Sequence, residues 1–141
     1  MNLTLEDIKN METWEFQEWV RKSLSAKSVK PSSRAYGFNG IISFISHKQF
    51  DGALIRMEQF AHVGEPIIKT TRERMIIAEK NTAFIIAPSF TERAIKLVSE
   101  YRKHGKGNIH LVTLESIMNK TPDEIFETID YSGNIVQECG E

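Results

Sequence analysis

The sequence is poor in cysteine and has no long apolar stretch. Its single cysteine, Cys139, cannot form an internal disulfide, and this favours a reducing compartment. No apolar run approaches the roughly 18 residues that a membrane-spanning helix requires. The first ten residues, MNLTLEDIKN, are acidic and lack the basic-then-apolar order of a signal peptide. We therefore expect a cytoplasmic protein with no membrane partner.

Internal repeats, low-complexity segments and long linkers are also missing. The chain has 141 residues, of which 40% are hydrophobic and 26% are charged, and these values are typical of a globular protein. We predict one domain over residues 1–141, with a core at about 13–119 and an acidic C-terminal tail at 121–141.

The net charge of −1 is unevenly distributed along the chain. Residues 1–18 contain five acids and one base, and residues 121–141 contain six acids and no base. Between them, residues 19–120 contain 17 bases and eight acids, a net charge of +9. A basic middle of this kind suits phosphate contacts, although a surface whose charges balance in three dimensions would give the same count.

Hydrophobic periodicity predicts helices that alternate with strands. Phe16, Trp19, Val20 and Leu24 recur at helical spacing, so we predict a helix over about 13–24 that Thr13 caps. Residues 25–37 are typical of a loop with one short strand near Val29. The remaining predicted elements are strands at 38–45 and 53–58 that form a hairpin, a helix at about 67–80, a strand at 82–87, a helix at about 91–104, a strand at 109–113 and short helices from 114 and 122.

Two of these elements carry specific expectations about burial. The run at 82–87, TAFIIA, is almost continuously apolar and predicts a strand covered on both faces. In the helix at about 67–80 we expect Ile68, Met75, Ile76 and Ala78 to face inward. The alternation of helices and strands indicates a mixed α/β layer fold.

Five segments, in this order, resemble the Mrr-like branch of restriction-endonuclease-like proteins. They are WEFQEWVRKSL (14–24), GFNGIISF (37–44), GALIRMEQF (52–60), TAFIIAPSFTERAIKLVSEY (82–101) and IHLVTLESIM (109–118). Each segment is short, but together the five span most of residues 14–118, and their order and spacing carry the resemblance. The resemblance implies a three-layer α/β/α fold with a central mixed sheet of four to five strands.

The resemblance also implies a metal-dependent nuclease site. The family carries Asp-Gly in the second segment and Glu/Gln-x-Lys in the third. Phosphodiester hydrolysis needs Mg²⁺ bound by carboxylates, with a lysine that offsets developing negative charge. Side chains at positions i and i+2 of a strand share one face, so the acid and the lysine reach the same metal.

This sequence departs from the family pattern at all three positions. Asn39-Gly40 stands in place of Asp-Gly, and Arg56-Met57-Glu58 stands in place of Glu/Gln-x-Lys. An amide is a weaker ligand than a carboxylate, and Arg56 brings a fixed positive charge. Glu18 on the first helix matches an acidic helix position, and Glu18 with Glu58 is our candidate metal-binding pair. Lys69, Arg72 and Arg74 are candidates to replace the lost lysine.

We therefore hypothesise a cleavage-deficient, Mrr-type domain that binds double-stranded DNA, with Asn39, Arg56 and Glu58 at the degenerate catalytic positions. The candidate phosphate contacts are Arg21, Lys22, Lys27, Lys30, Arg34, Lys48, Arg72 and Arg74. We expect no resident cofactor. One alternative is an active endonuclease with a rearranged site that uses Mg²⁺. The other is a noncatalytic scaffold for dimerisation or protein interaction within a restriction-modification system. The expected partners include a second copy of the chain and a DNA methyltransferase.

Overall fold

The fold is built around a mixed β-sheet. The computed structural model of the chain describes residues 3–30, 40–44, 50 and 52–127. Within these residues, five strands form the central sheet and two short strands form a second sheet. The strands are β1 (Ala26–Lys30), β2 (Gly40–Phe44), β3 (Ala53–Met57), β4 (His62–Val63), β5 (Thr82–Ala87), β6 (Ser89–Phe90) and β7 (Asn108–Thr113).

The order of strands in the central sheet is β1-β2-β3-β5-β7. Strand β2 runs antiparallel to both β1 and β3, which confirms the expected hairpin, whereas β3, β5 and β7 are parallel. Parallel neighbours require crossover connections, and helices supply them between β3 and β5 and between β5 and β7. Both crossovers proceed in the same direction along the sheet, so right-handed connections place their helices on the same face.

Helices cover both faces of the central sheet. They are α1 (Leu5–Lys9), α2 (Thr13–Ser23), α3 (Glu65–Ala78), α4 (Glu92–Lys103), α5 (Leu114–Asn119) and α6 (Pro122–Glu127). We call the side covered by α1, α2, α5 and α6 the α2 face, and the side covered by α3 and α4 the α3 face. The mixed α/β class is thus confirmed. In the described part of the chain, no helix is both long and apolar enough to cross a membrane.

The first long helix begins as the periodicity predicts, but its N-cap is a different residue. Thr13 is already the first helical residue, and Glu12 is the N-cap. The Glu15 carboxylate, in the first turn of the helix, accepts a hydrogen bond from the Glu12 N–H at 3.0 Å, as in a capping box. Three of the four residues expected on the apolar face, Phe16, Val20 and Leu24, are buried, and Trp19 is partly buried against the same core.

Helix α3 buries three of the four residues that we expected to face inward. Ile68, Met75 and Ala78 are buried on the α3 face, but Ile76 is 58% exposed, so the expectation for Ile76 was wrong. Each helical residue advances by about 100°, and Ile76 therefore points well away from Met75 and further still from Ala78. The apolar character of Ile76 suggested burial, and its helical phase does not allow it.

His110 lies on β7, and its imidazole is buried among aromatic rings on the α2 face. Its ring centroid is 5.0 Å from that of Phe84 and 5.4 Å from that of Phe50. Its Nδ1 atom is buried, and no described residue offers it a hydrogen bond. Burial, aided by the positive charge of Arg102, lowers the pKa of His110 to about 4. The fold therefore retains the neutral imidazole.

We predict that acid destabilises the protein through His110. Because its pKa is lowered from 6.5 to about 4 in the folded state, the unfolded chain takes up the proton first as the pH falls. The contribution of His110 to stability is present above about pH 6.5 and is lost progressively as the pH falls from about 6.5 to about 4. Between about pH 7.5 and about pH 5, the free energy of unfolding should fall by about 2 kcal/mol on this account.

Urea unfolding of the wild type and of His110→Phe at both pH values measures this contribution. The variant keeps an aromatic ring in the cluster and has no titrating group there, so its stability should depend less on pH. The same pH dependence in both proteins would show that His110 does not cause the acid sensitivity.

Candidate functional site

Arg56 and Glu58, at two of the three positions that the resemblance assigns to catalysis, form an ion pair at the end of β3. Arg56 Nε donates to Glu58 Oε2 at 2.6 Å, and the two side chains are 21% and 26% exposed. Pairing with β5 continues past the last residue of the strand, because the Glu58 N–H bonds to Ile86 O at 2.7 Å. Strand geometry thus places both side chains on one face, as the i and i+2 spacing predicts.

The α3 face is the side on which this ion pair lies. Arg56 pairs with Ile85 in the parallel register, and Ile85 belongs to the core on the α3 face. In the neighbouring hairpin, Gly40 pairs with Ile55, so the start of β2 lies beside the end of β3. Asn39, the third catalytic position, lies outside the described residues.

The electrostatics of this pair oppose a divalent cation. The Glu58 carboxylate is already neutralised by a guanidinium in direct contact, and a metal ion beside it would meet a fixed positive charge. Mg²⁺ also needs oxygen ligands from more than one group. Among the described residues, no group of three or more histidine, cysteine, aspartate or glutamate side chains is arranged to hold a metal ion.

Glu18, the other candidate metal ligand, lies on the opposite side of the sheet from Glu58. It belongs to α2, which covers the α2 face. Its carboxylate accepts hydrogen bonds from Arg21 Nε and Nη2, and the bond from Arg21 is the main reason that the pKa of Glu18 is lowered. The structure therefore does not bring Glu18 and Glu58 together.

Three of the candidate phosphate contacts form a basic corner where α2 meets β1. Arg21 Nη1 donates to Ala26 O at 2.8 Å, which joins the end of the helix to the start of the strand. Because its guanidinium is hydrogen-bonded to Glu18 and to the Ala26 carbonyl, Arg21 has a structural role in joining α2 to β1. Lys27 is exposed, and the Lys22 side chain is 70% exposed although its Nζ atom lies 4.0 Å from Glu18 Oε2, so a phosphate at Lys22 would compete with that carboxylate. Lys27 stands where the β1–β2 register shifts.

The basic corner and the Arg56–Glu58 pair lie at opposite ends of the sheet. Ala26 pairs with Phe44 at the end where β3 begins, whereas Arg56 and Glu58 lie where β3 ends. At about 3.3 Å per strand residue, the two places are roughly 20 Å apart along the strands. One surface patch does not contain both.

The other candidate cations are distributed elsewhere. Arg72, Arg74 and Lys69 lie on α3, which covers the face opposite to α2. Lys30 is the last residue of β1. Arg34 and Lys48 lie outside the described residues. The structure therefore divides the candidate DNA contacts between two sides of the sheet.

The sequence analysis did not predict the contact between His62 and Ser89. His62 Nδ1 lies 2.6 Å from Ser89 Oγ, because β4 and β6 pair in parallel with His62 opposite Ser89. A histidine beside a serine hydroxyl is the first part of a nucleophilic dyad. The register of the two strands accounts for the contact by itself. No sequence pattern connects residues 27 positions apart, so nothing in the sequence indicated it.

No protein-family model matches this chain, and no curated protein is similar to it at a significant level.

We predict that Arg56 and Glu58 stabilise the fold as a coupled pair. Arg56→Leu and Glu58→Leu should each lower the free energy of unfolding by about 1–2 kcal/mol, because each leaves a half-buried charge without this ion pair. The double variant should lose less than the sum of the two, with a coupling of about 1 kcal/mol. Chemical denaturation of the wild type, the two single variants and the double variant measures this coupling. If the double variant lost the sum of the two single losses in free energy of unfolding, the contact would not be stabilising.

Proposed function

We propose that the chain is a DNA-binding domain of the restriction-endonuclease-like, Mrr type that no longer cleaves DNA. The ion pair between Arg56 and Glu58 carries this proposal. These two residues occupy the positions that the resemblance assigns to Glu/Gln-x-Lys. A cleaving site would have an acid that binds Mg²⁺ and a lysine that acts on the water or phosphate, whereas here the two side chains neutralise each other.

The architecture supports the fold that this proposal requires. A five-stranded mixed sheet with helices on both faces agrees with the three-layer arrangement that the resemblance implies. The hairpin of β2 and β3 brings the second and third segments of the resemblance side by side. The two strands that would share a nuclease site are therefore neighbours, although their side chains differ from those of a nuclease.

The surface supports binding without cleavage. Lys22 and Lys27 are exposed at the basic corner where α2 meets β1. Both belong to residues 19–50, a stretch of sequence that contains six bases and no acid. Contacts to phosphates need only such cations and carry little sequence information. Because this corner lies roughly 20 Å along the strands from Arg56 and Glu58, phosphate contacts at Lys22 and Lys27 do not need either of those residues.

We predict that the protein binds duplex DNA at low salt and leaves it intact. Fluorescence anisotropy with a labelled duplex measures binding. A supercoiled plasmid incubated with Mg²⁺ or Mn²⁺, in methylated and unmethylated form, should stay supercoiled. Neither metal should raise the melting temperature, because the Glu58 carboxylate is already paired.

Two outcomes would contradict this proposal in different ways. Cleavage that disappears in Glu58→Ala would establish the active endonuclease with a rearranged site. Undetectable binding to duplex DNA even at low salt would remove the DNA-binding role and leave the interaction scaffold.

We predict that Lys22 and Lys27 contribute directly to the salt dependence of binding. Each phosphate contact adds about 0.9 to the slope of log K against log salt, so the double variant Lys22→Ala/Lys27→Ala should lower the slope by about 1.8. The variant Lys103→Ala/Lys106→Ala removes the same charge from exposed positions at and after the end of α4 and is the matched control. Equal losses in both variants would mean that net charge, and not this corner, governs binding.

A further inference from the structure

The contact between His62 and Ser89 lies at the surface, and the proposed DNA-binding function does not use it. His62 Nδ1 is 2.6 Å from Ser89 Oγ, the histidine is exposed and the serine is half-buried. The parallel register explains why the two residues are neighbours. It does not limit what the contact does, because a neutral imidazole nitrogen at this distance from a hydroxyl can take its proton.

The backbone on both sides of this contact is anchored in the core. Val63, which follows His62, is fully buried, and Phe90, which follows Ser89, packs against the core of the α3 face. Pairing continues one residue past the two short strands, because the Thr91 N–H donates to Val63 O at 2.9 Å. The two side chains are therefore held together by elements that pack against the core, which is the arrangement that preorganises a reactive pair.

Both residues follow the carboxyl ends of neighbouring parallel strands. His62 comes five residues after the end of β3, and Ser89 comes two residues after the end of β5. Open α/β sheets bind their ligands outside the carboxyl ends of the strands. Ser89 also lies between a strand and a helix, as serine nucleophiles of α/β enzymes do, although Ala87 and Thr91 replace the flanking glycines of such a turn.

Two helices begin beside the pair. Thr91 caps α4, and its hydroxyl accepts a hydrogen bond from the Ala94 N–H at 3.0 Å. The N-cap of α3 is Gly64, two residues after His62, and in the described part of the chain no side chain caps this helix. The positive end of a 14-residue helix thus lies close to the histidine, and positive ends of helices stabilise the negative charge that develops on a carbonyl oxygen during acyl transfer.

We propose that Ser89 is a nucleophile activated by His62 and that the pair hydrolyses carboxylic esters. Ser89 Oγ attacks the carbonyl carbon while its proton passes to His62 Nδ1, and the neutral ring holds its own proton on Nε2. The bond from that carbon to the alkoxy oxygen then breaks, and the alcohol leaves with the proton from His62. Water cleaves the acyl-serine by the same route, so an acid is released and both residues are regenerated.

This activity is independent of the proposed DNA binding. Lys22 and Lys27 belong to α2 and β1, whereas His62 and Ser89 belong to β4 and β6. The reaction needs no phosphate contact and no metal ion. Tests of the pair contain no DNA, so the failure of one proposal is distinguishable from the failure of the other.

A fluorophosphonate probe tests whether Ser89 is activated. The serine oxygen displaces fluoride from phosphorus, and the serine proton leaves with it as hydrogen fluoride. Serine hydroxyls without an adjacent base are weak nucleophiles, so we expect one label per chain, on Ser89. Mass spectrometry of the intact wild type and of its proteolytic peptides measures the number of labels and locates them.

Variants separate the nucleophile from its base. Ser89→Ala should abolish labelling and the hydrolysis of p-nitrophenyl acetate, and His62→Ala should slow both by about a hundredfold or more. Added imidazole should restore part of the rate of His62→Ala, because the position is exposed, and it would not restore a merely structural contact. Ser99→Ala removes a half-buried serine of α4, is the matched control and should react as the wild type does. Thermal melts by circular dichroism verify that the variants fold.

Two results of these measurements would overturn the proposal. A wild type whose Ser89 takes up no label would show that its hydroxyl is not activated, and this result does not depend on how any variant folds. Labelling of folded His62→Ala at the wild-type rate would show that the histidine does not act as the base.

Discussion

Burial of β5 on both of its faces is the constraint on which the rest of the structure depends. Residues 83–87 are all buried, with their side chains alternating between the core of the α2 face and the core of the α3 face. A strand with apolar side chains on both faces needs helices on both sides, and its parallel pairing with β3 and β7 requires crossover helices. The three parallel strands consequently end at the same edge of the sheet, and Arg56 and Glu58 lie at that edge.

The two candidate metal-binding acids have the same local arrangement on opposite sides of the sheet. Glu58 is paired with Arg56 on the α3 face, and Glu18 is paired with Arg21 on the α2 side. Each carboxylate has a guanidinium beside it, so each charge is offset within its own element. A cation site needs acids that converge and stay unneutralised, and the structure provides neither condition for this pair of residues.

Whether an individual helix or strand was predicted depends on how many residues its local sequence pattern extends over. The long helices and strands were predicted because their periodicity extends over many residues, and the helix predicted at about 91–104 is α4, with Thr91 as its N-cap. Strands β4 and β6 have two residues each, which is too short for any period, so the contact of His62 with Ser89 had no signal. Ile76 was assigned to the core because it is apolar, although its helical phase directs it to solvent.

The sequence by itself determined the class of the fold, the approximate limits of its long elements and the placement of Arg56 and Glu58 on one side of a strand. These properties follow from the repeat of the backbone, which is local. Only the tertiary structure decided that Glu18 and Glu58 are separated by the sheet, that the basic corner lies far from Arg56 and Glu58 and that Ile76 and Ile77 face solvent together. Those relations depend on strand register and on which helix packs on which face. Both are set by the burial of apolar side chains from the whole core, which involves residues far apart in the sequence.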